Sequence, residues 1–248
     1  MAESGNARGV AGVVLVTGGA HRLGRELALA FGTAGYAVAI SYRTDPAKAE
    51  QTIRDLQALG TGAAAFHADL AAEDGPRRLV ADLLGRFGRL DVLVHAAAPW
   101  ITKPVADVTI PDWEATFRTG PRAAFFLVQA AADALRKSDG SILLISDVAA
   151  AKAWPNHVPH AAAKAALNAL VVNLAVALGP GVRVNGVAPG VVLPPDELSQ
   201  EDVLRLVVRT PLKRKVALPD FVSMAVAVAR NRSMTGQVVA VDAGRSVV

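Results

Sequence analysis

Hydrophobic and polar positions follow two alternating patterns along the chain. Short continuous apolar runs occupy residues 13–17, 37–42, 63–67, 91–96, 141–146, 182–188 and 238–241. Stretches with helical spacing of apolar residues lie between them, including 25–31, 47–59, 75–87 and 161–178. Parallel strands buried on both faces read as continuous apolar runs, and their alternation with helices indicates βαβ units with right-handed crossovers. The pattern therefore predicts one doubly wound α/β domain with a parallel seven-stranded sheet.

Length and composition agree with one such domain. The chain has 248 residues, of which 52% are hydrophobic, enough for a sheet covered on both faces. Residues 1–12 are small and polar, so we predict a disordered tail before a domain at 13–248. No apolar run reaches membrane-spanning length without a charge or a turn signal. The absence of cysteine excludes disulfides and thiolate metal sites, and we expect a cytoplasmic protein without membrane contact.

The basic balance of the chain does not indicate a nucleic-acid partner. The net charge is +4 and the isoelectric point is about 9.7. The arginines are scattered, and no basic run is interleaved with aromatic residues. A modest positive field suits an anionic small-molecule cofactor instead.

A glycine-rich turn follows the first apolar run directly. The segment from Thr17 to Gly24 connects this run to a helical stretch. Glycines let the backbone turn tightly and approach a pyrophosphate, while the helix N-terminus offers free N–H groups to it. Glycines that serve only close packing are the alternative, but the order of strand, turn and helix favours a dinucleotide site.

The end of the second apolar run indicates which dinucleotide binds. An NAD site would place Asp or Glu there for the ribose 2′-hydroxyl, and none is present. Arg43 offers a charged planar fork for a 2′-phosphate, with the hydroxyls of Ser41 and Thr44 beside it. Asp45, which precedes a proline, is predicted to cap the next helix. We predict NADP(H), with a merely solvated Arg43 as the alternative.

Motifs along nearly the whole chain resemble those of the short-chain dehydrogenase/reductase family. They are the turn at 17–24, Asp69, the run 91–94, Lys164, and the segments 183–185, 188–190, 235–237 and 241–242. Arg22 stands where the middle glycine of the family turn usually lies, as in the pteridine reductase branch. The resemblance implies a Rossmann domain that usually forms a homotetramer, with a hetero-oligomer as the alternative.

Strand-end position and this resemblance together imply a set of cofactor contacts. The set comprises Thr17, Gly18, His21, Arg22, Leu23, Gly24, Tyr42, Arg43, Thr44, Asp69, Leu70, Ala96, Ala97, Lys164, Pro189 and Gly190. The resemblance gives Asp69 the adenine amino group, and a helix N-cap is the alternative for that residue. His95 and Ala96 replace two asparagines usual in relatives, so we expect the contact there to come from the backbone.

The catalytic positions of the family are largely replaced. A Tyr-x-x-x-Lys pair carries the chemistry in relatives, and here the pair is His160 and Lys164. Residues four apart share one helix face, so the lysine can hold the ribose hydroxyls beside the first residue. The usual serine is Asp147, as in pteridine reductases, and the usual asparagine is Gly120, followed by Pro121.

His160 is the candidate proton donor of this altered site. An imidazole beside the carboxylate of Asp147 is a plausible general acid, since the carboxylate favours the imidazolium and Lys164 opposes it. The alternative is that His160 fills space in a site without redox chemistry. The isolated histidines His21, His95 and His157 lack the ordered neighbours of a zinc site, so no metal is expected.

Aromatic residues near the predicted crevice indicate a flat substrate. Trp100 follows the fourth apolar run, where pteridine reductases place an aromatic residue that stacks on the substrate ring. A packed core tryptophan is the alternative. Arg22, Trp154 and Val191 complete the predicted substrate contacts, with a substrate loop at about 191–216.

These features predict an NADPH-dependent oxidoreductase that reduces a C=N or C=O bond of a pterin-like or other conjugated small molecule. Two alternatives remain open. The first is a cyclase, isomerase or dehydratase that kept the fold without redox chemistry. The second is a catalytically inactive NADP-binding subunit of a hetero-oligomer.

Overall fold

A computed structural model describes residues 11–194 and 198–248. Seven parallel strands form one sheet in the order β3-β2-β1-β4-β5-β6-β7, which confirms the predicted doubly wound architecture. The strands are β1 Val13–Thr17, β2 Ala37–Tyr42, β3 Ala63–His67, β4 Val92–His95, β5 Ser141–Ile145, β6 Arg183–Pro189 and β7 Val238–Val241. Each lies within about one residue of a predicted apolar run because buried parallel strands have a strong apolar pattern.

Eight α-helices cover the two faces of the sheet in the described part of the chain. They are α1 Arg22–Thr33, α2 Pro46–Ala58, α3 Gly75–Phe87, α4 Ile110–Phe117, α5 Ala123–Lys137, α6 Val158–Leu178, α7 Gln200–Val207 and α8 Leu218–Arg230. Successive strand residues point to opposite faces, so Val14 and Val16 pack with α1, α2 and α8. Leu15 packs on the other face with α3, α5 and α6.

Several element boundaries differ from the sequence-based ones for local reasons. Helix α2 begins at Pro46, and the predicted Asp45 cap is present because its carboxylate accepts a hydrogen bond from Lys48 N at 2.9 Å. Helix α6 begins three residues before the predicted start, with Pro159 in its first turn, where a missing N–H costs nothing. Residues 1–10 of the predicted tail lie outside the described residues. Ala11, which also belongs to the predicted tail, is paired with the domain, because its N–H donates to Gly35 O at 2.9 Å.

The chain between α4 and α5 is kinked where the sequence places Gly120 and Pro121. A π-helical turn spans Arg118–Arg122, and Gly120 has φ −84° and ψ −108°. Proline cannot donate the backbone bond that a continuous helix needs. The hydrogen bond that Pro121 cannot donate therefore coincides with a break in the helix.

Helix α6 is the most apolar long helix of the described chain. The segment Pro155–Leu178 is long and apolar enough to cross a membrane by length and composition alone. In the fold, its Leu167, Val171 and Leu174 are buried in the core beneath the sheet, and Lys164 interrupts its apolar pattern. Packing against the sheet accounts for the apolar residues on one face, whereas Val172 and Val176 on the other side of the helix are exposed.

Candidate active site

The sheet order reverses between β1 and β4, and a cavity of about 660 Å³ opens at the carboxyl ends of the strands on this side of the fold. Nine of the predicted site residues line it: Arg22, Leu23, Trp100, Asp147, Trp154, His160, Pro189, Gly190 and Val191. Five separate stretches of sequence thus meet around one space. The end of β2 and the segment after β3 are not part of this lining.

The hydroxyl of Thr17 joins β1 to β4 at the point where the two strands diverge. Its Oγ1 accepts hydrogen bonds from Ala96 N at 3.1 Å and Ala97 N at 3.2 Å, and lies 3.0 Å from Nδ1 of His95. Thr17 is completely buried. Although it is among the predicted cofactor contacts, its hydroxyl is committed to holding the backbone of Ala96 and Ala97 in place.

His95 links this junction to the helix kink. Because Thr17 Oγ1 already accepts two N–H groups, its own hydrogen points to Nδ1 of His95, which leaves the other ring nitrogen protonated. That nitrogen faces the backbone of Thr119 and Gly120 without a well-aligned hydrogen bond. Burial lowers the pKa of His95 to about 3, an effect that Lys164 reinforces, so the ring is neutral. The imidazole thus reaches the kink where relatives carry their asparagine.

The glycine turn is shaped for close approach of the backbone. A Cβ on Gly24 would lie 2.2 Å from the carbonyl oxygen of Gly18, so only glycine lets α1 start this close to the turn. Gly18 has φ +68°, a conformation that side chains disfavour. Ser41, predicted as a donor to phosphate, is instead buried with its hydroxyl 3.4 Å from Gly18 N, so it supports the turn.

Arg22 adopts the backbone conformation of the glycine it replaces. Its φ is +51°, which strains a residue with a side chain by about 1–2 kcal/mol. The guanidinium crosses the mouth of the cavity, where Nη2 donates to the carbonyl of Leu193 at 2.7 Å. The glycine turn is thereby fastened to the start of the predicted substrate loop. The neighbouring His21 is exposed and precedes α1 without a capping hydrogen bond from its side chain.

The predicted adenosine end of the site is open. Arg43 and Thr44 are exposed after β2, and the ring of Tyr42 packs edge-on against His67. The carboxylate of Asp69 accepts a hydrogen bond from Ala71 N at 2.9 Å. The alternative of a helix N-cap is wrong for Asp69, because α3 begins at Gly75 after Asp74. The side chain of Leu70 is buried in the core, so only its backbone can face a cofactor.

Lys164 is a buried cation held by the end of β5. Its ammonium donates to the carbonyl oxygen of Ile145 at 2.7 Å, and the residue is 6% exposed. Burial lowers the pKa of Lys164 to about 8, and the nearby carboxylate of Asp147 opposes this change only in part. The lysine is therefore mostly charged at neutral pH and loses its proton in mildly alkaline solution.

The side chains of His160 and Asp147 lie side by side in the wall of the cavity. Nε2 of His160 lies 3.5 Å from Oδ2 of Asp147, while the other carboxylate oxygen accepts a hydrogen bond from Ala149 N at 2.7 Å. The backbone bond fixes the carboxylate, and the imidazole remains loosely paired. Since His160 lies one helical turn before Lys164, the two predicted partners share one face of α6.

Two tryptophans form the aromatic wall of the cavity. The Trp100 indole is 44% exposed, with its ring centre 4.8 Å from that of His160 and 6.0 Å from that of Trp154. His157 packs on Trp100 with ring centres 4.7 Å apart but is outside the cavity lining. The core alternative for Trp100 is wrong, because its indole faces the cavity.

Sequence reasoning missed Arg245, which lines the cavity from the turn after β7. Leu193 and Leu206 also line it and lie within the predicted substrate loop at about 191–216, although neither was named as a contact. Arg245 follows the last strand, so the rule that ligands bind at strand ends could have identified it. No comparable pattern marks the two leucines, whose positions depend on loop conformation.

Comparison with known proteins agrees with this geometry. A family model described as Enoyl-(Acyl carrier protein) reductase matches residues 18–246. The chain is 33% identical to hydroxynaphthalene reductase arp2 of Aspergillus fumigatus, over 71% of this chain and 65% of that protein. It is 32% identical to L-rhamnose 1-dehydrogenase (NAD(P)(+)) of Sphingomonas sp., over 94% of this chain and 96% of that protein. FolM alternative dihydrofolate reductase 1 from Brucella suis, solved in complex with NADP, is 31% identical with a TM-score of 0.90, covering 96% of each chain.

The left-handed backbone at Arg22 gives a testable difference between two substitutions. Arg22→Gly and Arg22→Ala both remove the contact with Leu193, but only glycine relieves the strain at φ +51°. We expect the glycine variant to be more stable than the alanine variant by about 1 kcal/mol in urea unfolding. Equal stability of the two variants would show that residue 22 is not held in this conformation.

Proposed function

The chain belongs to the short-chain dehydrogenase/reductase family, and on that premise we propose that it is an NADPH-dependent reductase of a flat, conjugated C=N or C=O compound. The observation that supports this proposal most directly is a single cavity lined by the exposed indole of Trp100 and by the facing side chains of His160 and Asp147. Two of its relatives are named as reductases of compounds that contain fused rings, hydroxynaphthalene and dihydrofolate.

The residues at the strand ends fit NADP(H). Gly18 and Gly24 let the turn pack closely against Ala97 and the start of α1, so that backbone N–H groups at the helix N-terminus can face a pyrophosphate. Arg43 is exposed directly after β2, whose end carries no Asp or Glu, and the nearby carboxylate of Asp45 is used to cap α2. Gly190, whose added Cβ would lie 2.7 Å from Asp242, keeps the chain after β6 flat against β7. The NADP in the Brucella neighbour supports the same cofactor.

Lys164 is the residue proposed to hold the nicotinamide ribose. Its ammonium has three donors, and the structure shows one of them used by Ile145 O. The remaining donors are available for ribose hydroxyls, and burial makes such charge-assisted bonds strong. When bound, the nicotinamide supplies the hydride, and the protein's task is to orient the reactants and deliver a proton.

His160 is proposed to deliver that proton from Nε2. This nitrogen faces Asp147 at 3.5 Å and borders the cavity, so it can reach an acceptor atom on a ring lying against Trp100. Asp147 would stabilise the imidazolium before transfer and orient the ring. A general acid of this kind contributes about 10²–10⁴-fold to the rate.

The aromatic wall favours a flat substrate over a flexible one. An indole face attracts another π-system in an offset arrangement, which contributes about 0.5–1.5 kcal/mol beyond the buried area. Trp154 stands nearly perpendicular to Trp100, at 86° between the ring planes, and bounds the ring position at one end. A fused-ring compound of pterin size fits this geometry.

The proposal is tested by incubating the protein and NADPH with a panel of pterins, quinones and other conjugated carbonyl compounds. Stoichiometric loss of NADPH absorbance, with product heavier by two hydrogens, is the expected result. A product of unchanged oxidation state would favour the cyclase, isomerase or dehydratase alternative. Activity only in the presence of a co-expressed homologue would favour the non-catalytic subunit.

The choice of NADP(H) over NAD(H) rests on Arg43. Replacement by alanine removes a charge-assisted contact worth about 1.5–3 kcal/mol, so NADPH affinity should fall by more than about tenfold. NADH affinity should hardly change. Isothermal titration of both cofactors measures this, with the exposed Arg54→Ala as the matched control. Equal affinity of the unaltered protein for the two cofactors would contradict the assignment.

Cofactor binding should weaken as Lys164 loses its proton. Because burial lowers its pKa to about 8 in the free protein, the ammonium is mostly charged at pH 7 and mostly neutral at pH 9. The protonated form binds the anionic cofactor better, so the NADPH dissociation constant should rise by up to about tenfold per pH unit above that pKa. Lys164→Met should bind more weakly at pH 7 and lose this pH dependence; an unchanged slope in that variant would contradict the role.

Removal of the imidazole tests the proton donor. His160→Phe should reduce turnover by about 10²–10⁴-fold while NADPH binding is retained through Lys164 and the glycine turn. His157→Phe is the matched control, since His157 packs on the same indole but does not line the cavity. His160→Tyr, which restores the family pair, should keep measurable reductase activity. Turnover by His160→Phe at the unaltered rate would exclude the imidazole as the acid.

A further inference from the structure

The C-terminal turn delivers a buried arginine into the cavity. After β7, the carboxylate of Asp242 accepts hydrogen bonds from Gly244 N at 2.9 Å and Ser246 N at 2.6 Å. Ala243 and Gly244 both have positive φ, +56° and +82°, which reverses the chain sharply. This anchored reversal turns Arg245 inward, where it lines the cavity and is only 7% exposed.

The guanidinium of Arg245 is incompletely satisfied. Nη1 donates to the carbonyl of Leu206 at 3.1 Å, but the buried Nε has no hydrogen-bond partner within residues 11–194 and 198–248. Asp147 and Asp242 act on Arg245 through charge alone, without a hydrogen bond. Buried charges are normally paired because their desolvation is costly. Within the described residues, no carboxylate forms an ion pair with Arg245, so an anion in the cavity could neutralise its charge.

Charges of both signs lie near Arg245, since Asp147 and Asp242 act on it in the opposite direction to Arg209. Burial and the nearby Arg209 both lower the pKa of Arg245, and the ammonium of Lys152 donates to the Arg245 carbonyl at 3.0 Å. Arg22, which belongs to the glycine turn, lines the same cavity. Asp147 is the one carboxylate in the described lining, so guanidinium groups outnumber it.

Arg245 lies at the far end of the aromatic wall from the proposed proton donor. Its Cζ is 5.1 Å from the centre of the Trp154 ring, and Trp154 in turn contacts Trp100, which contacts His160. A substrate ring that lies in the cavity against this wall can therefore direct a substituent past Trp154 toward Arg245. The sheet order separates Arg245 from the adenosine end, because β7 and β2 lie near opposite edges.

We propose that Arg245 binds a carboxylate carried by the substrate, so that the substrate is a flat ring with an anionic substituent. This inference rests on the proposed function and specifies the substrate class of the same cavity. The planar fork of a guanidinium matches the two oxygens of a carboxylate. The bond from Nη1 to Leu206 and the Trp154 face hold the guanidinium in position at the cavity wall.

The first test compares two probes that share one ring. Pterin-6-carboxylate and 6-hydroxymethylpterin are titrated into the protein saturated with NADP⁺, and their affinities are measured by calorimetry. We expect the carboxylate to bind at least about tenfold more tightly, the usual value of a hydrogen bond to a charged group. The preference should shrink at high salt. Equal affinities, or no binding of either probe, would overturn the proposal.

The second test removes the charge. Arg245→Gln keeps an amide donor for the Leu206 carbonyl but cannot pair with a carboxylate, so the preference should disappear while the neutral probe binds within about threefold of its original affinity. Arg209→Gln removes an exposed neighbouring charge and should retain the preference. A preference that survives Arg245→Gln would overturn the assignment, and the comparison of probes on the unaltered protein stands even if this variant fails to fold.

An activity measurement separates this inference from the proposed function. NADPH oxidation with uncharged flat substrates, combined with equal probe affinities, would overturn the carboxylate site and leave the reductase. A clear carboxylate preference without NADPH oxidation on any conjugated C=N or C=O compound would support the anion site and overturn the reductase.

Discussion

The hydroxyl of Thr17 is the contact on which the architecture of the site depends. It ties the end of β1 to the first residues after β4, where the sheet order reverses and a crevice must open. A buried hydroxyl that makes three contacts is costly to remove, since each partner would be left without a replacement. The glycine turn, the approach of Ala96 and Ala97, and the orientation of His95 all follow from this junction.

The positions at which the family resemblance leads us to expect other residues lie close together in the fold. Gly120, where we expect an asparagine from the resemblance, stands at the kink, and the imidazole of His95 reaches the backbone there. On the other side of Lys164, His160 stands where we expect a tyrosine, and it faces Asp147. Lys164, the residue that matches the expectation, lies between them. A site that had merely decayed would have no reason to keep a buried ammonium with a pKa lowered to about 8, because its desolvation is unfavourable.

The sequence was sufficient for the sheet and for most of the residues around the cavity. Buried parallel strands produce strong apolar runs, and strand ends in a doubly wound sheet converge on one crevice, so Trp100, Asp147 and Gly190 could be placed in advance. Contacts that depend on loop conformation could not. The bond from Arg22 to Leu193 joins residues far apart in sequence, and the inward turn of Arg245 requires two consecutive residues with positive φ. Ser41 was placed at the correct strand end, but its hydroxyl is buried beside Gly18 N, because strand-end position does not specify which way a side chain points.

We propose that an imidazole, supported by a carboxylate, takes the place of the usual tyrosine in a reductase of flat compounds. A crystal structure with NADP⁺ and a bound pterin is the decisive measurement. We expect the ring to lie against Trp100, with Nε2 of His160 within about 2.6–3.2 Å of a ring nitrogen or oxygen. A pterin bound away from Trp100, or an imidazole with no path to any acceptor atom of the ring, would contradict it.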